Sequence, residues 1–178
     1  MFGDQRTGTG KNFLLLIFPG IVAILTIPLM LSLLMGEPVL RILTVVGTTL
    51  VIEYGSGALG IALGISPLVL FLVIASVGLG MIFILFGIFS LLGEKSERVA
   101  GFLKKTEGKM EHHPFIRRWG ILALVPGVLI LGIYFIVPVA WILRWDTRRS
   151  AALIFSGYLM GSVVTILGTL GIFHFLFP

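Results

Sequence analysis

Polar positions are rare along this chain, and they cluster. Uncharged, mostly apolar runs cover residues 13–36, 42–52, 54–93, 120–143 and 150–178, separated by short charged stretches. About twenty apolar residues span a hydrocarbon core as a helix, and several of these runs are long enough. The pattern predicts an all-α integral membrane protein with a single membrane domain over residues 1–178. Within it come a polar tail at 1–12, a first half at 13–93, a polar linker at 94–118 and a second half at 119–178. The run from Phe13 to Met35 exceeds the apolar core of a signal peptide, and the LSLLMGEP that closes it is a poor cleavage site. It predicts a retained first helix, with Pro19 and Pro28 placed to kink it.

Composition strengthens the membrane reading. The chain is 57% hydrophobic and 12% charged, with a mean hydropathy of +1.12. A soluble domain of 178 residues cannot hide that much apolar surface from water. Cysteine is absent, which excludes disulfides and thiolate metal sites. The net charge of +5 fits loops that face anionic lipid headgroups, so the expected partner is membrane lipid, with no nucleic acid.

The placement of the basic residues bears on topology. If every apolar region crosses fully, the thirteen Lys and Arg residues divide eight to five across the membrane. If regions 42–65 and 120–143 enter and return to the same side, twelve lie on one face and only Arg41 on the other. Basic loops favour the cytoplasm, so the count supports about three full spans plus two re-entrant or broken helical hairpins. It also puts the amino terminus and 94–118 on the cytoplasmic face of a multi-pass cell-membrane protein. Gly55, Gly57, Gly60 and Gly64 in the first region, and Pro126-Gly127, Gly132 and Pro138 in the second, are positions where a helix can break. Kinked but complete spans are the alternative. Hairpins that dip from opposite faces correspond to an inverted-topology repeat. In the linker, Val99, Phe102, Leu103, Thr106 and Met110 recur at helical spacing, which predicts either an amphipathic helix on the cytoplasmic leaflet or a solvated linker helix.

One acid stands out. Glu53 lies inside an otherwise uncharged stretch, VIEYGSGALGIALGIS, and an ionisable residue at membrane depth is expensive enough to suggest a function. It is the candidate proton- or cation-linked group, and the glycines after it are candidate backbone ligands. A protonated, purely structural glutamate is the other reading. In the opposing segment, Pro126, Gly127 and Tyr134 are the candidate site-lining residues, and Arg117, Arg118 and Arg144 read as interfacial anchors. Gly157 and Gly161 have the spacing of a close helix crossing. No metal or cofactor is expected: adjacent His112 and His113 point about 100° apart on a helix and have no nearby acid cluster. No nucleophile elbow, zinc-helix motif or complete phosphate loop is present, so an enzyme is not expected. A homodimer is compatible with so small a helix count.

The segment EYGSGALGIALGISP resembles the E-LRGAIPLGIALGL-type stretch of the small multi-drug export protein family, archaeal type. WGILALVPGVLILGIYFIVPVAWILRWDTRRSAALIFSGYLMGSVV is similar to that family's carboxyl-terminal region, and together the likeness covers about residues 45 to 170. Glu53 and Pro126-Gly127 match best; where the family has an Arg and a Pro after the Glu, this chain has small residues and Leu59. Those proteins in turn resemble DedA-like membrane proteins. The resemblance implies two facing re-entrant hairpins and a small exporter or lipid translocase acting on a lipid or drug-like substrate. Among readings from the residues themselves, a non-transporting structural or partner-binding subunit is the alternative.

Overall fold

The computed structural model describes residues 9–95 and 120–176, with side chains described within 17–91 and 120–171. Of the linker helix expected over 94–118, residues 96–118, with His112, His113, Arg117 and Arg118 among them, lie outside the described residues, as does most of the amino-terminal tail. The described residues form helices joined by short turns, with no strand among them. In a medium that cannot hydrogen-bond a backbone, helices satisfy their own N–H and C=O groups.

Helix α1, Thr9–Met35, begins four residues before the apolar run and continues unbroken through Pro19 and Pro28. It ends at Gly36, whose φ of +69° lets the Glu37 N–H return to the Ser32 carbonyl at 3.0 Å. Helix α2, Val39–Ile52, is followed by a 3-10 turn at Glu53–Gly55 and by α3, Ser56–Ala62. The turn reverses the chain. The Ser66 N–H donates to Glu37 Oε1 at 3.2 Å, so the two ends of this stretch lie side by side. A continuous helix would hold them more than about 40 Å apart. Helix α4, Pro67–Lys95, opens with proline at its first position, where no N–H is needed.

The second half begins with a 3-10 turn, Gly120–Ala123, then α5, Leu124–Leu131, and α6, Ile133–Ile142, separated only by Gly132 at φ +79°. Helices α5 and α6 fold back on each other, with Ile136 filling the space that a side chain at Gly127 would take. Helix α7, Thr147–Leu176, completes the chain.

Helix α4 is the hub, packed against α1, α2, α3, α6 and α7. Its contact with α1 is a close backbone crossing. A Cβ on Gly80 would stand 2.5 Å from the Gly20 carbonyl oxygen, so only glycine admits this approach. Leu70, Val73, Ile74 and Val77 of α4 bury against Ile42, Val45, Ile133 and Val137 from the two broken regions. The outer surface is apolar as well, with Leu33, Val51 and Ile130 at 77%, 75% and 80% exposure. Water rejects such a surface and lipid accepts it. Four helical stretches, Ile17–Met35, Val39–Ala62, Pro67–Leu91 and Thr147–Gly171, are long and apolar enough to cross a membrane, the second when counted through its break. The chain is an all-helical, multi-pass membrane protein.

One pattern of hydrogen bonds occurs twice. Ile65 N–H reaches the Gly60 carbonyl at 3.1 Å, and Trp145 N–H reaches that of Ala140 at 3.2 Å. The turns between them use positive φ at Gly64 and at Arg144. Ser66 Oγ then accepts from the Val69 N–H, and Asp146 Oδ1 accepts from the Arg149 N–H, so each caps the next long helix. Every member of the second set lies eighty residues after its partner in the first.

Candidate functional site

The two broken regions meet tip to tip, and Glu53 stands at the junction. Its own backbone is unusual, with φ +53° and ψ −133° on a residue that is not glycine. Such a conformation costs of order 1–3 kcal/mol and persists where surrounding contacts enforce it. Here they do. The Glu53 N–H returns to the Thr49 carbonyl, and the Glu53 carbonyl accepts from Ser56 Oγ at 2.8 Å. Ser56 Oγ and Thr49 Oγ1 are themselves 2.8 Å apart, and Thr49 Oγ1 also reaches the Val45 carbonyl. Two hydroxyl hydrogens thus serve three contacts that knot the turn.

The carboxyl group leaves its own hairpin and caps the other. Both oxygens lie 2.9 Å from the Ile133 nitrogen, and Oε1 lies 3.4 Å from that of Tyr134. These N–H groups open α6, where a helix has unsatisfied donors and partial positive charge. The residue preceding α6 is Gly132, which has no side chain to cap with. Glu53 supplies that cap from 79 positions earlier in the chain. Gly132 is required for a second reason, because a Cβ there would lie 2.5–2.8 Å from the carboxyl atoms.

All three tyrosines of the chain converge on this junction. The Tyr54 hydroxyl donates to the Leu129 carbonyl at 2.7 Å, and the Tyr134 hydroxyl donates to the Leu50 carbonyl. Each acceptor belongs to the last turn of the helix before a break, where carbonyls lose their intrahelical partners. Each tip therefore caps the other hairpin's first helix. Tyr158 of α7 meets Tyr54 edge to face, with ring centroids 5.7 Å apart, and its own ring occupies the space left by Gly78. Among the described residues, the partners of the Glu53 carboxyl, at 8% exposure, are neutral backbone N–H groups. Among the described residues, no group of three His, Cys, Asp or Glu side chains converges as a metal site would require.

Of the residues singled out in the sequence, the structure brings Glu53 and Tyr134 together and sets Gly55 beside them in the turn. Gly57 and Gly60 are instead inside α3. Gly57 lies against Thr165 and Ile166, and Gly60 receives the Leu70 side chain. Both are helical, closely packed positions rather than unwound backbone. Pro126 and Gly127 lie within α5, whose first turn accommodates the proline, and the break falls at Gly132. Gly157 and Gly161 do mark a close crossing, and it is internal: Gly157 lies against Val125 and Val128, and Gly161 against Leu129 and Tyr54. Gly132 is marked in the sequence as a possible break and not as a site residue, while Tyr54, Tyr158 and the carbonyls of Leu50 and Leu129 carry no mark there. The legible clue to the tyrosine pair is that Tyr54 and Tyr134 each sit near a glycine at a candidate break, eighty residues apart.

Comparison of the chain with family models, with curated proteins and with solved structures gives no match.

Proposed function

We propose that the protein is a small secondary transporter, acting as an exporter or as a lipid translocase, in which Glu53 latches two hairpins that re-enter the membrane from opposite faces. The observation that carries this reading is the Glu53 carboxyl itself, held at a positive φ and placed on the tip of the other hairpin. It bears two avoidable costs. Gly132 turns the second hairpin with no such backbone strain, and a short neutral side chain could cap a helix without bringing an ionisable group to membrane depth. An acid in that position gives the junction a response to protons that a neutral cap lacks. Protonation removes the anion from the positive end of α6 and weakens the contact joining the tips.

The repeated capping pattern supports two halves related as an inverted repeat, with about three full spans and the hairpin tips near the midplane. Twelve of the thirteen basic residues then fall on one face, with the amino terminus and residues 94–118 cytoplasmic in a cell membrane. The substrate class that fits is a lipid or a drug-like amphiphile, since the outer surface around the hairpins is apolar. The rival reading is a non-transporting membrane subunit. It draws on the completeness of the cross-capping, which also suits a rigid module.

Proteoliposomes decide between them. Dithionite quenching of NBD-labelled phosphatidylglycerol reads lipid flip, and ethidium reads movement of a cationic amphiphile. Wild-type protein should move at least one probe with a rate that depends on pH, and Glu53→Gln should lose that dependence. Equal, pH-insensitive rates in both proteins would remove the acid from the mechanism. Movement of neither probe by either protein would favour the static module.

A further inference from the structure

The three tyrosines at the junction are not equivalent. Tyr54 and Tyr134 each donate to a carbonyl, but the Tyr158 hydroxyl has no hydrogen-bond partner among the described residues, although the side chain is wholly buried. An unmade hydrogen bond on a buried hydroxyl is destabilising, so the latched arrangement carries a bias towards any arrangement that makes it. The surroundings narrow the choice of acceptor. Tyr158 is seated on Gly78 of α4 and against the edge of Tyr54, the residue next to Glu53. The Glu53 carboxyl has about four lone-pair sites and only two N–H donors, so it retains capacity to accept. Tyr158 belongs to the long helix α7, which packs on α4 and on both hairpins, and not to either tip.

We propose that Tyr158 is a second seat for the Glu53 carboxyl, which leaves the start of α6 and takes up the Tyr158 hydroxyl when the two tips part. The inference rests on the latch reading above and adds to it the group that receives the displaced acid. The exchange gives the junction two discrete arrangements, each with the carboxyl hydrogen-bonded, as a bistable element requires. Tyr158 acts here as a positioning residue.

Spin labels at Val51→Cys and Ile130→Cys report the tip separation. Both positions are exposed, at 75% and 80%, and the chain has no native cysteine. Electron–electron distance measurements in phosphatidylcholine–phosphatidylglycerol nanodiscs should give two populations, and Tyr158→Phe should deplete the longer one about fivefold. Tyr158→Phe should also melt no lower than wild type, because the lost hydroxyl has no partner in the latched state. A single population in the wild-type background, an unchanged ratio in Tyr158→Phe, or a melting point lowered by several degrees would each overturn the proposal. Two populations without probe movement would instead leave the seat standing and remove transport, and movement with one population would do the reverse.

Discussion

Glu53 and Gly132 occupy matching places at the two tips, both at positive φ, and only one of them is glycine. Their roles are complementary: the glycine clears space beside α6, and the acid fills it. Gly132→Ala should therefore fail on two counts, backbone strain of about 1–3 kcal/mol and collision of the new methyl with the carboxyl. Thermal unfolding in detergent would register it as a clear loss, and a variant as stable as wild type would mean that the tips do not touch as described. The crossed tyrosines invite a second measurement. Tyr54→Phe and Tyr134→Phe each remove one hydrogen bond to a helix-end carbonyl and should each cost about 1 kcal/mol. Because both bonds join the same two tips, the double variant should lose less than the two losses added together. Strict additivity would show that the two bonds act independently. Glu53 was legible as an anomaly because charge inside an apolar run is conspicuous. Its partners were not, since a backbone N–H carries no residue-type signature and any residue but proline at 133 and 134 would provide one.

The elements are built from short helices with strong punctuation. Each hairpin ends in a positive-φ turn and passes directly into the cap of a long helix, with Ser66 before α4 and Asp146 before α7. Substituting alanine at a capping residue costs typically about 1 kcal/mol. Asp146→Ala should reach that value, because its carboxylate accepts at 2.8 Å with favourable charge at the helix start. Ser66→Ala should cost less, its contact being 3.4 Å, and comparison of the two melting shifts tests the order. The helices themselves were readable from apolar runs, but the breaks were readable only as regions. Proline and glycine mark permission to break, not the break. Pro126 falls in the first turn of α5, where its missing N–H has no effect, and Gly57 and Gly60 are used for close packing against Ile166 and Leu70. The chain turns instead at Glu53, where sequence statistics disfavour a positive φ, because the Thr49–Ser56 contact and the capped α6 hold it there.

At the scale of the molecule, the hydrogen bond from Ser66 to Glu37 carries the topological consequence. If the first region crossed the membrane, positions 38 and 66 would lie on opposite faces, separated by the hydrocarbon core of about 30 Å. In the folded chain the neighbours of these positions touch, and on the proposed topology both belong to one face. The charge count favours the same proposed topology, in which Arg41, at the mouth of this hairpin, would be the single basic residue away from the cytoplasmic face. The absence of native cysteine makes the test clean. Single variants Pro38→Cys and Ser66→Cys, expressed in intact cells, should both react with an impermeant maleimide added from outside. A cysteine replacing Arg148, in the first turn of α7, should react only after the membrane is opened. Labelling of 38 and 66 from opposite sides would leave the first hairpin without a basis and, with it, a junction at which an acid can latch two halves together.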